Sequence, residues 1–221
     1  MTIVSEQAQK FLDKVDKVFK QEVIADLKTR YKGKYFPGSI NQDYLTIFKT
    51  IDMALIARPV KGFVAEFGVF KGRTINYISN FVDDTVYGFD SFKGIPEPWH
   101  RHKAGTFALD ELPEVNYNVK LYEGWFEDTI PQFKKDVKEV ASFIHIDSDL
   151  YSSCKTVLNE LKDRIVPGTI ILFDEYYNEI NSPSHRADYV RGSEKDAFEE
   201  FNIPHEQIHK NTQQRLIKIK E

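Results

Sequence analysis

The chain has 221 residues, enough for one domain with a sizeable core. Its 30 basic and 34 acidic residues leave a net charge of −4, which gives no electrostatic case for nucleic acid, and the single cysteine, Cys154, excludes a disulfide framework or a cysteine–zinc cluster. No apolar run reaches the roughly 18 residues that span a bilayer, and the polar Ser5-Glu6-Gln7 stands where a signal peptide would carry its apolar region, so a cytoplasmic α/β protein without a membrane partner is expected.

Residues 6–30 carry apolar positions at Phe11, Val15, Val18, Phe19, Val23, Ile24 and Leu27, which predicts an amphipathic helix with a docking face. Lys32-Gly-Lys-Tyr-Phe-Pro-Gly38 breaks that pattern as a hinge, and a second helix follows from about Asp43 to Ala57, stopped by Pro59. Residues 1–60 are thus expected as a helical extension and 61–221 as the main domain. From residue 61 short apolar runs alternate with polar helical stretches: Gly62–Phe67, Thr85–Phe89, Lys120–Tyr122, Ser142–Ile146 and Thr169–Phe173. Strands this apolar are covered on both faces, as in a doubly wound, mostly parallel sheet. A helix over Ser152–Arg164 ends at Pro167-Gly168, and pieces near Ile208 and Leu216–Ile219 read as a closing antiparallel pair. The irregular 93–118, rich in proline, histidine and charge, reads as a lid.

Ligands in open α/β sheets bind beyond the carboxyl ends of the strands. The first such end is Val64-Ala-Glu-Phe-Gly-Val-Phe-Lys-Gly72. A pyrophosphate turn needs Gly-x-Gly-x-x-Gly, but its second glycine is here Phe70, whose ring takes the space of the phosphates. Glu66 with Gly68 and Gly72 suits a cationic cofactor carrying an amino-acid end, and S-adenosylmethionine fits. The second strand ends in Gly88-Phe-Asp90-Ser-Phe92, where Asp90 is placed to accept ribose hydroxyl protons. The third leads into Glu123-Gly-Trp-Phe126, whose aromatics either cover an adenine ring or fill a core corner. The fourth and fifth end in Ile144-His-Ile-Asp147-Ser-Asp149 and Ile171-Leu-Phe-Asp174-Glu175. Acids from neighbouring strands repel unless protonated or neutralised, and an all-oxygen set favours a hard cation such as Mg²⁺ or Ca²⁺. His145 is read as structural, and His100 with His102 as no metal site.

With these residues in view the chain resembles the macrocin O-methyltransferase family, whose members include sugar O-methyltransferases of macrolide and aminocoumarin biosynthesis. The likeness covers roughly 60–200 and rests on Glu66-Phe-Gly-Val-Phe-Lys-Gly72, Phe89-Asp-Ser-Phe-Lys-Gly-Ile-Pro-Glu-Pro98, Gly124-Trp-Phe-Glu-Asp-Thr129, His145-Ile-Asp-Ser-Asp-Leu-Tyr-Ser152 and Phe173-Asp-Glu-Tyr176. The resemblance implies a Rossmann-like class I methyltransferase with a mostly parallel, seven-stranded sheet, S-adenosylmethionine as donor, Mg²⁺ or another hard divalent cation, and a homodimer. It implies a sugar or glycosylated small molecule as acceptor, with a catechol-type O-methyltransferase or a non-catalytic S-adenosylmethionine-binding module as rivals. By position, Asp147, Asp174 and Glu175 match the metal ligands and Asp149 the general base. Glu66, Gly68, Val69, Phe70, Gly72, Thr74, Asp90, Ser91, Phe92, Gly124, Trp125 and Phe126 form the expected cofactor set. Two residues depart from the family pattern: Glu175 stands where Asp is frequent, and Arg73 where a small residue is common. Arg191-Gly-Ser-Glu-Lys-Asp-Ala-Phe198 follows the usual helix start only loosely. Tyr151, Tyr176 and Trp99 are candidates for stacking on a sugar face or for packing.

Overall fold

The computed structural model describes residues 42–58, 61–176 and 193–221. The helix expected over 6–30, the hinge at 32–38, Pro59 and residues 177–192 lie outside the described residues. Within them the helices are α1 (Gln42–Ala57), α2 (Arg73–Ser79), α3 (Phe126–Asp136), α4 (Tyr151–Glu160) and α5 (Glu194–Phe201). The strands are β1 (Phe63–Phe67), β2 (Val86–Asp90), β3 (Val119–Glu123), β4 (Ala141–Ile146), β5 (Ile170–Phe173), β6 (His205–Lys210) and β7 (Arg215–Ile219).

The strands form one seven-stranded sheet in the order β3-β2-β1-β4-β5-β7-β6. β1 to β5 run parallel, while β7 pairs antiparallel with both β5 and β6. The alternation of side chains explains why both faces are apolar. In β1, Phe63, Ala65 and Phe67 pack with α3, α4 and α5, whereas Val64 packs with α1 and α2. In β5, Ile171 and Phe173 share the first face while Ile170 and Leu172 share the second.

α1 falls in the extension expected from the sequence, yet it covers the sheet. Phe48, Ile51 and Ala54 are fully buried, the Phe48 ring stacks on Tyr77 at 4.2 Å, and the Tyr77 hydroxyl donates to Asp52 at 2.6 Å. α1 thus packs against residues of the 61–221 segment. The opposite face holds an aromatic ladder: Phe67, Phe89 and Tyr122, register partners on β1, β2 and β3, stack at 4.6 and 5.0 Å. Among the described residues no helix is long and apolar enough to cross a membrane.

Backbone bonds continue across the carboxyl edge after the strands end. Gly124 N donates to Asp90 O, Gly68 N to Phe89 O, Asp147 N to Phe67 O, and Asp174 N to Ile146 O, all at 2.9 to 3.0 Å. The first loop residues after β1, β3, β4 and β5 are thus each held by a neighbouring strand, which fixes the row from which the functional side chains project.

Candidate active site

A cavity of about 810 Å³ opens on that edge. Gly68, Val69, Phe70, Thr74, Asp90, Ser91, Gly124, Trp125, Phe126, Asp147, Asp149, Asp174 and Glu175 of the expected set line it. Glu66, Gly72 and Phe92 do not. The volume suits a ligand of nucleoside size.

Gly68 sits at φ +96°, and a Cβ built on it would collide with the Asp147 carbonyl oxygen. Glycine is required here because the β1 and β4 loops touch through their backbones. The chain then turns at Phe70, φ +46°, and starts α2 after Gly72, φ +78°. The Phe70 N–H donates to Asp90 Oδ2 at 2.7 Å, and the Phe92 N–H to Asp90 Oδ1 at 2.8 Å. In a pyrophosphate loop such amides would face phosphate; here the Phe70 amide holds a carboxylate. Burial pushes the Asp90 carboxyl up, against the pull of these amides. The Phe70 ring meets Phe107 edge-on at 5.6 Å, joining the loop to the 93–118 segment.

Glu66 takes a different place from the one expected. It is fully buried; Oε1 accepts from the Thr74 hydroxyl and Oε2 lies against His145 Nδ1, each at 2.9 Å. Both of its oxygens are engaged inside the protein, and Glu66 does not line the cavity. His145, two residues before Asp147 and on the same face of β4, is fully buried between two acids, with Nε2 3.8 Å from Asp174 Oδ1. Burial alone would lower its pKa, but the Asp174 and Glu66 carboxylates outweigh that and hold it well above the ordinary value. Its structural reading becomes specific: a fully buried ring beneath the acid cluster, held through Nδ1 by Glu66.

The acids at the β4 and β5 strand ends meet in this cavity. Oxygens of Asp147, Asp149 and Glu175 lie within 4.8 Å of one another. Asp174 lines the same cavity but stands outside this trio, where Oδ1 accepts from the buried Gln214 amide. Burial pushes the Asp147 and Glu175 carboxyls well up, and repulsion from Asp174 adds to it. Asp149 rises to about 7 through burial and the charges of Asp174 and Asp90. Asp174 itself is lowered: its burial is outweighed by His145, Gln214 and the Arg73 charge. Glu175 Oε2 is buried with no hydrogen-bond partner among the described residues. Three converging carboxylates, one of them orphaned, fit a hard divalent cation such as Mg²⁺.

Asp149 also carries backbone strain. Its φ is +62°, and Leu150 N donates to Ser148 O at 2.6 Å, a tight γ-turn centred on a non-glycine residue. The sequence pattern did not single out Glu194, Gln214, Thr74's bond to Glu66, or the charge of Arg73. Glu194 is fully buried, and its carboxyl is pushed up to about 8 by burial, against backbone amides of Glu175 and Ser148 that favour the charged form. The only sequence signal for it was the Ser193-Glu-Lys-Asp196 helix start.

Segment 93–118 forms one wall. Bridges pair Lys93 with Ala108 and Trp99 with His102, Ile95 N donates to Thr106 O at 2.9 Å, and Ile95, Pro96, Glu97 and Phe107 face the cavity. Trp99 stacks on His102 at 5.7 Å, and Tyr176 packs on Phe173 and Phe198; neither lines the cavity, nor does Tyr151. Phe126 does both jobs, lining the cavity and meeting Phe67 edge-on at 5.5 Å.

The sequence model of the family described as macrocin O-methyltransferase (TylF) matches residues 10–196. The chain belongs to this family. Two curated relatives of this macrocin O-methyltransferase family chain come from streptomycetes. Demethyldecarbamoylnovobiocin O-methyltransferase of Streptomyces niveus is 30% identical over 149 residues, 55% of this chain and 55% of its own length. The 8-demethyl-8-(2,3-dimethoxy-alpha-L-rhamnosyl)-tetracenomycin-C 4'-O-methyltransferase of Streptomyces olivaceus is 29% identical over 150 residues, 55% of this chain and 56% of its own length. The chain thus spans about half the length of the curated relatives it matches. Among solved structures, the calicheamicin methyltransferase CalS11 has a TM-score of 0.64 at 19% identity, covering 92% of this chain and 93% of its own, a likeness of fold.

Proposed function

We propose that this chain is an S-adenosylmethionine-dependent O-methyltransferase acting on a hydroxyl of a sugar or another polyol-bearing small molecule, assisted by a divalent cation. The observation that carries the reading is the juxtaposition, in one cavity, of the Gly68–Phe70 loop and Asp90 with the Asp147, Asp149 and Glu175 carboxylates. Family membership and the curated relatives, one of which carries a rhamnosyl group in its name, support the acceptor class.

Gly68, Val69 and Phe70 would hold the donor's amino-acid end, Asp90 its ribose, and Gly124 with Trp125 its base. Asp147, Asp149 and Glu175 would hold the cation, while Asp174 keeps its charge under His145 and Gln214. When bound, the donor supplies an electrophilic methyl group and the cation a positive charge that makes an acceptor hydroxyl more acidic. Asp149 would take the hydroxyl proton as the acceptor oxygen gains the methyl group and the donor leaves as its neutral thioether. The remaining work is alignment, which the backbone bonds along the carboxyl edge provide.

The test combines binding and turnover. Calorimetry should register saturable S-adenosylhomocysteine binding and none of NAD, and methyl transfer to sugar nucleotides should stop with EDTA and return with Mg²⁺. Turnover confined to catechols would move the acceptor class, binding without any turnover would leave a donor-binding module, and full activity under exhaustive chelation would remove the cation.

A further inference from the structure

We infer that Glu194 is a positioning residue that sets the spacing of the Asp147, Asp149 and Glu175 trio and thereby its affinity for a divalent cation. The inference rests on the reading of that trio as a cation site. Glu194 Oε1 accepts from both the amide and the hydroxyl of Ser148 at 3.2 Å, and Oε2 accepts from the Glu175 amide at 3.0 Å. Ser148 lies between Asp147 and Asp149, so this one carboxylate grips the β4 loop at the centre of its two acids and the β5 loop at the third.

An ordinary helix-start role does not account for these bonds. The capping box of α5 is already complete without Glu194: it is made by Ser193 and Asp196, with the Ser193 N–H donating to Asp196 at 2.8 Å. Glu194 instead directs both oxygens out of its own helix to two loops from different strands. It does so at 0% exposure, beside carboxylates that repel it. A buried carboxyl among other acids is unfavourable unless its hydrogen bonds are needed. The bonds it makes are the ones that determine how far apart the three acids stand, and cation affinity depends on ligand spacing and on how orienting partners hold the ligands.

The experiment titrates Mn²⁺ into the full chain by calorimetry and electron paramagnetic resonance, with no donor or acceptor present. Wild type should bind one ion and Asp147→Asn none. Glu194→Gln keeps the shape but replaces one accepting oxygen with a donor; it should stay folded by circular dichroism and bind Mn²⁺ about ten-fold or more weakly. The Mn²⁺ concentration for half-maximal turnover should rise by the same factor, with kcat recovered at saturation. Glu200→Gln, which removes an exposed charge from the same helix, should leave the affinity unchanged. If Glu194→Gln does not fold, Ser148→Ala, which removes a single bond of the clasp, should still weaken Mn²⁺ several-fold. Wild-type affinity in a folded Glu194→Gln, or in Ser148→Ala where the former fails to fold, overturns the inference and leaves the cation site standing. Equal weakening in Glu200→Gln also overturns it, since net charge would then explain the effect. Absence of saturable Mn²⁺ binding in wild type overturns both.

Discussion

Asp149 concentrates two unfavourable features in one residue, a left-handed backbone and a carboxylate crowded by Asp174 and Asp90. Asn tolerates φ near +60° at least as well as Asp and carries no charge. Asp149→Asn should therefore make the metal-free protein more stable at pH 8, on the order of 2 kcal/mol, or roughly 4–8 °C in melting temperature. Methyl transfer should fall by about 10²-fold or more. A variant that keeps full turnover would remove Asp149 from the proton step. The same crowding sets a pH dependence. Asp147, Asp149, Glu175 and Glu194 all have folded-state pKa values above the unfolded ones near 4. The folded state keeps protons that the unfolded state has released, so stability present below about pH 4 is lost as pH climbs through about 7 for Asp149 and about 8 for Glu194. His145 acts in the same sense. Its folded value is raised, so its contribution is complete below about pH 6.5 and disappears above its folded pKa. Urea unfolding of chelated protein should give a free energy that declines from about pH 5 to about pH 9, and Mg²⁺ should flatten the decline; a level profile without cation contradicts the crowding.

At the scale of elements, the β1–α2 turn is held by sterics. Gly68→Ala places a methyl group against the Asp147 carbonyl in a left-handed backbone, and should cost about 2 kcal/mol or more and abolish S-adenosylhomocysteine binding. Gly105→Ala, also at positive φ but with nothing within 4 Å, should cost only about 1 kcal/mol. Comparable losses in the two variants would mean that the loop contact is unimportant. The strands and their carboxyl ends were legible because five apolar residues between polar helices permit few alternatives, and the convergence of Asp147, Asp149 and Glu175 follows once β4 and β5 are neighbours. What was not legible depends on contacts remote in sequence. The contacts of Glu66 with Thr74 and His145 cannot be read from spacing, and Glu194 at the start of a short helix or Gln214 in the β6–β7 turn looks like any surface polar residue. Nor could spacing decide that Gln214 draws Asp174 aside while Asp149 joins the trio.

For the whole molecule, α1 and α2 on one face and α3, α4 and α5 on the other leave the carboxyl edge as the place where β1, β2, β4 and β5 all expose loop residues. Ligand binding there should stabilise the entire sheet: S-adenosylhomocysteine at a hundred times its dissociation constant adds about 2.7 kcal/mol. A thermal shift with S-adenosylhomocysteine, but not with NAD, checks this.

The Gly68–Asp147 backbone contact has a wider consequence. The turn that would cradle the nucleoside and the strand end that bears the first acid touch without an intervening side chain, so neither can drift while the other stays fixed. Whatever factor occupancy of one half imposes on the affinity of the other must be returned in equal measure.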